Sequence, residues 1–81
     1  MLIRGFNGVI EFPKTNLFIA DSSSMGKKAF YIVPVIRSRQ WLINVTQPFA
    51  VYSSYERASA IIDMIITEYV VGKKVFTMPP E

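Results

Sequence analysis

The chain has 81 residues, of which 51% are hydrophobic and 14% aromatic, a composition that predicts one small domain with a packed core. It contains no Cys and no His, which excludes disulfides, thiolate nucleophiles, imidazole bases and zinc sites built from the usual ligands. Nine Lys and Arg against six Asp and Glu give a net charge of +3, which fits either a weak preference for anionic partners or ordinary solubility.

The distribution of apolar residues predicts a soluble cytoplasmic protein that does not enter a membrane. The longest apolar run, residues 29–36, is much shorter than the ~20 residues of a membrane-spanning helix. The first residues lack the charged and apolar regions of a secretory signal. We also expect no metal and no cofactor.

The first part of the chain predicts short strands joined by turns. Asn7-Gly8 lies between two β-favouring runs, a strong hairpin signal, and places strands at about residues 2–5 and 9–12. A third strand is predicted at residues 17–20. The polar residues 21–26 are predicted to form a loop, and whether the 21–27 segment orders on binding stays open.

Two long strands are predicted in the middle of the chain, at residues 28–36 and 41–52. Pro34 indicates an edge position or a bulge in the first, and Pro48 interrupts the second, so that residues 49–52 form a separate piece. The first strand is apolar on both faces, and both faces need cover. This favours either a sheet that curls onto itself or a second copy of the chain.

Residues 53–72 predict an α-helix. Ser53 and Glu56 have the spacing of a capping box, and Gly72 follows the last periodic residue. Residues that fall on one face at 100° per residue form the predicted buried face. They are Tyr55, Ala58, Ile61, Ile62, Ile65, Ile66 and Tyr69.

The predicted fold is α+β. A curved antiparallel β-meander of about five or six strands, the last at residues 73–78, carries one C-terminal α-helix packed across it, an arrangement that a pleckstrin-homology-like fold would satisfy. A second apolar stripe on the helix, Ala60, Met64 and Val71, is left uncovered. Together with Trp41 it is the predicted partner-binding surface.

Four basic residues are predicted to meet at one end of the molecule. Arg37 and Arg39 lie at the tip of the predicted long hairpin, and the helix returns Lys73 and Lys74 to the same end. Such a basic tip can contact nucleic acid or another anion. Alternatively, the lysines complement the helix dipole and the arginines solubilise a turn.

Three short stretches carry a resemblance to a known group of proteins. Residues 1–4 (MLIR), residues 52–58 (YSSYERA) and residues 74–79 (KVFTMP) resemble the M-[LW]-I-R-S opening, the Y-[SD]-[ST]-x-E-[RK]-A helix start and the closing φ-x-M-P of small uncharacterised proteins of Firmicutes and their phages. Gly5 replaces the usual Ser, and the Gly that often precedes the Tyr at the helix start is absent. The resemblance implies an intracellular protein of a Gram-positive bacterium, its prophage or a mobile element, and it carries over no functional residue.

The predicted function is that of a non-enzymatic binding protein of phage or mobile-element origin that binds a host protein, as an inhibitor of a defence or regulatory system. One alternative is a nucleic-acid-binding module that uses the basic tip. Another is a homodimer or larger homo-oligomer that sequesters a small molecule or signal nucleotide. We predict no catalytic residue, because few groups of the chain titrate near neutral pH and no pair of carboxylates is placed in a cleft.

Overall fold

The computed structural model describes residues 1–24, 26–36, 39–40 and 48–80, with the backbone alone at Ser24, Ile36, Arg39 and Gln40. Within these ranges the chain forms seven strands and one helix. In order they are β1 (Leu2–Arg4), β2 (Val9–Glu11), β3 (Asn16–Ser24), β4 (Lys27–Ile36), β5 (Arg39–Gln40), β6 (Ala50–Tyr52), α1 (Tyr55–Val70) and β7 (Val75–Thr77).

The two ends of the chain meet in a three-stranded sheet with the order β2-β1-β7. The hairpin predicted around Asn7-Gly8 is confirmed, with Ile3 opposite Ile10 and the Gly5 N–H donating to the Gly8 carbonyl over 2.9 Å. Gly8 has a φ of +107°, which favours glycine. Strand β7 then adds to β1 in parallel, and almost the whole chain separates these two strands in sequence.

Strands β3 and β4 form a long antiparallel hairpin, paired continuously from Asn16 opposite Val35 to Ser24 opposite Lys27. The predicted strand at residues 28–36 is therefore confirmed, but the predicted loop at residues 21–26 is wrong. Residues 21–24 extend β3, because the neighbouring strand supplies backbone partners that outweigh the weak strand preference of Asp and Ser. Gly26, with a φ of +76°, lies in the tight turn that follows.

The other side of β4 has two short partners in place of one long strand. Residues Phe30 to Ile32 pair with β6, whereas Val35 and Ile36 pair with β5. Pro34 lies between the two pairings, where β4 has no partner among the described residues on this side, while its pairing with β3 continues through Leu17 opposite Pro34 without a bulge. Strand β6 is the separate piece predicted after Pro48. Residues 41–47 of the predicted second strand lie outside the described residues.

Helix α1 begins one residue later than the sequence predicts. The N-cap is Ser54, in extended conformation, and its Oγ accepts from the Arg57 N–H over 3.1 Å. The predicted capping box of Ser53 and Glu56 is therefore wrong as the start of the helix, because the N-cap is Ser54. Arg57 then occupies the N3 position, where a capping box needs Glu or Gln. At the other end the Gly72 N–H donates to Tyr69 and the Lys73 N–H to Glu68, which completes a Schellman motif with Gly72 at φ +87°, as its position predicts.

The core lies where α1 packs on the strands, and it includes Ile3, Ile32, Tyr52, Ile61 and Ile65, all almost fully buried. On β4 the four consecutive residues from Tyr31 to Pro34 are buried, so both faces of this strand are covered within a single chain. The expectation that β4 needs a second copy for cover therefore loses its basis. No buried side-chain polar atom in the described ranges lacks a hydrogen-bond partner.

The α+β class and the C-terminal helix are confirmed. The single antiparallel meander and the pleckstrin-homology-like arrangement are not, because the described strands form two sheets and β7 runs parallel to β1. The described part of the chain contains no helix that combines the length and apolarity needed to cross a membrane.

Candidate functional site

Helix α1 presents apolar residues on more of its circumference than the sheets cover. Ala58, Ile61 and Ile65 are fully buried and form the line of contact with the core. Apolar residues lie on both sides of this line, and they remain partly or largely exposed. A polar strip that includes Glu56, Asp63 and Thr67 separates the two sides on the outer surface of the helix.

One side of the helix carries the predicted partner-binding residues Ala60, Met64 and Val71, which we call the Met64 stripe. Their i, i+4 and i+11 spacing places them on one side of the helix, and all three are exposed, Met64 by 45% and Val71 by 72%. The neighbouring Arg57 stacks over the Tyr52 ring, 6.0 Å from its centroid. The Met64 stripe therefore lies on the side of the helix that faces β6.

The opposite side carries Tyr55, Ile62, Ile66 and Tyr69, which we call the Ile66 flank. The sequence places these residues on the buried face, but Tyr55 is 55% exposed and Ile66 48% exposed. Each tyrosine is covered along one edge only. Tyr55 contacts Phe30 and Tyr69 contacts Phe12, both in edge-on geometry.

An open groove of ≈ 330 Å³ lies between the C-terminal end of α1 and the β1–β2 hairpin. Its walls combine apolar and charged side chains, and the Schellman turn of the helix forms one end. The lining residues are Met1, Leu2, Glu11, Tyr69, Gly72, Lys73 and Lys74.

Ion pairs with neighbouring side chains partly neutralise Lys73 and Glu11 of this groove. Lys73 Nζ lies 3.7 Å from a Glu68 carboxylate oxygen, and Lys14 Nζ lies 3.8 Å from Glu11. Both pairs are largely solvent-exposed, so they are weak and sensitive to salt. Lys74 forms no ion pair with any residue in the described ranges.

Half of the predicted basic tip is visible in the structure. Lys73 and Lys74 are exposed and line the groove together. Arg37, the side chain of Arg39 and the predicted partner-binding Trp41 lie outside the described residues. Tyr31 is only 8% exposed and belongs to the core.

The three stretches that carry the sequence resemblance come together around Tyr52. Its hydroxyl donates to the Pro79 carbonyl over 2.8 Å, and the Met78 N–H donates to the Arg4 carbonyl over the same distance. Arg57 Nη2 reaches the Pro80 carbonyl at 3.4 Å. These contacts therefore join the N-terminal strand, the helix start and the C-terminal residues. Sequence analysis missed this cluster because no local pattern connects its members.

These geometries define an α+β protein with exposed apolar surface on both sides of its helix and a groove at the helix end. Within the described ranges no three acidic side chains lie close enough together to hold a metal ion. No protein-family model, curated protein or solved structure matches the chain.

Proposed function

We propose that this protein is a non-enzymatic binding protein of phage or mobile-element origin, which binds a host protein through the Met64 stripe and inhibits a defence or regulatory system. The exposure of Met64 and Val71 on one side of α1 carries this proposal. The core of the chain is already closed, so these side chains are not needed to fold it. Exposed apolar surface of this kind is typical of protein interfaces.

The arrangement of the Met64 stripe suits a helix that lies in a groove of its partner. Anchors spaced along one side of a helix are the usual means of such recognition. The small Ala60 allows the partner backbone to approach closely. Asp63 and Thr67 on one margin and Arg57 on the other supply a polar rim.

The size of the Met64 stripe sets a lower limit on the extent of the interface. Burial of Met64 and Val71 contributes on the order of 3 kcal/mol. Micromolar affinity corresponds to about 8 kcal/mol. The interface therefore extends beyond the Met64 stripe to other side chains around it.

Affinity capture from a Gram-positive host lysate tests the proposal when it compares matched surface variants. Met64→Asp places a charge in the Met64 stripe, and Val9→Asp places the same charge on an apolar residue of β2 that is somewhat more exposed than Met64. We expect the wild type and Val9→Asp to capture the same protein. The amount captured by Met64→Asp should be at least tenfold lower. The captured protein should lose activity when the wild-type chain is added. Equal capture by all three chains, or no capture above background, would contradict the proposal.

A second candidate function is the binding of an anion such as a nucleotide or a single nucleic-acid strand. The observation that favours it is the placement of Lys73 and Lys74 in one groove with the half-exposed ring of Tyr69. The groove volume falls at the lower end of the range of small-molecule sites. Affinity for a labelled single-stranded oligonucleotide should then fall steeply as salt rises and disappear in the Lys73→Glu/Lys74→Glu variant. Binding that changes neither with the salt concentration nor with the two substitutions would exclude this anion-binding function.

A further inference from the structure

Among the described strands, β3 lies at an edge of its sheet. All nine of its residues pair with β4 on one side, and no hydrogen bond with another described residue is made on the other side. The backbone N–H and C=O groups that point away from β4 are therefore available to a further strand.

This edge lacks the features that usually prevent one sheet from joining another. Residues 16–24 contain no Pro, Lys or Arg, and Asp21 is their only charge. Their pairing with β4 is unbroken, so no bulge twists the edge away. An edge of this length and regularity readily accepts another strand.

The Ile66 flank lies on the same side of the molecule as this edge. Helix α1 packs on β3, β4 and β6, and β3 and β6 lie on opposite sides of β4. Because Arg57 beside the Met64 stripe contacts Tyr52 of β6, the Ile66 flank faces β3. The free edge and the Ile66 flank are therefore neighbouring parts of one surface.

We propose that a second copy of the chain occupies this edge, with β3 pairing antiparallel to β3 of the partner about a two-fold axis at Ala20. This register overlaps all nine residues and places Phe18 opposite Ser22 and Ile19 opposite Asp21. The large apolar residues of one half of the strand thus meet the small or polar residues of the other half. The two Asp21 side chains are not directly opposed, which avoids the least favourable charge pairing.

The exposed Ile66 flank beside the edge favours a second copy over an unrelated strand, because a single added strand would leave this flank exposed. A two-fold interface uses the same surface of both chains. The same axis brings the two Ile66 flanks towards each other on one face of the joined sheet. Their half-exposed Ile66 and Tyr55 side chains would then be covered. This inference does not rest on the proposed function, which uses the other side of α1.

Disulfide trapping tests the register, since the chain has no natural Cys. Residues directly opposite in an antiparallel pair have Cα atoms about 4.5 or 5.5 Å apart, within the range that a disulfide spans. Ala20→Cys should therefore form a covalent dimer under mild oxidation. Ser22→Cys is the matched control on the same face of β3. The two Cα atoms of residue 22 would be roughly 13 Å apart, so Ser22→Cys should form no covalent dimer under the same conditions.

Light scattering on the wild-type chain should give twice the monomer mass. Ala20→Lys and Ala20→Glu should each weaken the dimer at least tenfold, and an equimolar mixture should restore it, because opposite charges then face each other at the axis. Circular dichroism confirms that each variant is folded. A monomeric wild type, equal trapping of Ala20→Cys and Ser22→Cys, or faster trapping through Met64→Cys than through Ala20→Cys would each overturn the inference.

Discussion

Gly5 is the residue at which the structure leaves least room for a side chain. A Cβ atom at this position would lie 2.5 Å from Phe49 Cε1 and 2.6 Å from the Phe49 carbonyl oxygen. The hairpin and the segment before β6 touch here, and the Phe6 N–H donates to the same oxygen over 2.7 Å. The contact with Phe49 therefore favours glycine at this position.

We predict that Gly5→Ala lowers the free energy of unfolding by about 1–3 kcal/mol, the usual cost of overpacking. Urea unfolding of both chains measures this loss of stability. Adding Phe49→Leu should recover part of the loss, since it removes the ring atoms but leaves the carbonyl oxygen in place. The same Phe49→Leu change should not rescue Gly8→Ala, where the added Cβ meets nothing within 4 Å and the strain comes from the positive φ. An unchanged stability of Gly5→Ala would show that the hairpin can move away from Phe49.

The Tyr52 hydroxyl connects the segment just before the helix with the C-terminal residues. Tyr52→Phe removes its hydrogen bond to the Pro79 carbonyl and should lower the free energy of unfolding by about 1 kcal/mol. Hydrogen exchange at the Met78 amide, which bonds to Arg4, should also accelerate. Tyr55→Phe is the control, because its exposed ring contacts Phe30 through an edge and should change stability by less than about 0.5 kcal/mol. Equal effects of the two substitutions would rule out a particular role for Tyr52.

At the scale of the element, Ser54 decides where α1 begins. Ser54→Ala removes the acceptor of the Arg57 N–H and should lower the free energy of unfolding by about 1 kcal/mol, as at other N-caps. Ser59→Ala, inside the same helix, should be neutral or slightly stabilising, because Ala has the higher helix propensity. Thermal unfolding followed at 222 nm compares the two. A larger loss for Ser59→Ala than for Ser54→Ala would show that the helix starts elsewhere.

The elements that could be predicted from the sequence are those specified by nearby residues. The β1–β2 hairpin follows from Asn7-Gly8, and the end of α1 follows from Gly72. The extension of β3 through residues 21–24 could not be predicted, because it depends on pairing with β4 and not on the preferences of Asp and Ser. The one-residue error at the helix start has a different cause. Ser53 and Ser54 are both suitable caps, and only the backbone conformation distinguishes them.

At the scale of the whole molecule, local sequence patterns do not determine the order of the strands or the exposed fraction of every side chain. Val75–Thr77 joins β1 across almost the full length of the chain, and no turn signal specifies that pairing. The exposure of the Met64 stripe was predictable, since its residues lie apart from the main apolar face. The exposure of Ile66 and Tyr55 was not, because the width of sheet beneath the helix decides how much of that face is covered.

The two methionines Met78 and Met64 test which apolar residues hold the fold and which remain available for binding. Met78 is 4% exposed and packs in the core, whereas Met64 lies on the surface of α1. Met78→Ala should lower the free energy of unfolding by about 2–5 kcal/mol, through lost contacts and the cavity left behind. A small domain has a total stability of only about 5–15 kcal/mol, so this loss is large.

Met64→Ala should leave the free energy of unfolding within about 0.5 kcal/mol of wild type, because an exposed side chain gains little from folding. Chemical denaturation of both variants, side by side, measures the difference. A loss above ~2 kcal/mol for Met64→Ala would place Met64 in the core and remove the Met64 stripe as a binding surface. The expected contrast would instead show that the core of this chain is complete without the stripe, which leaves the apolar surface of Met64 and Val71 free to meet a partner.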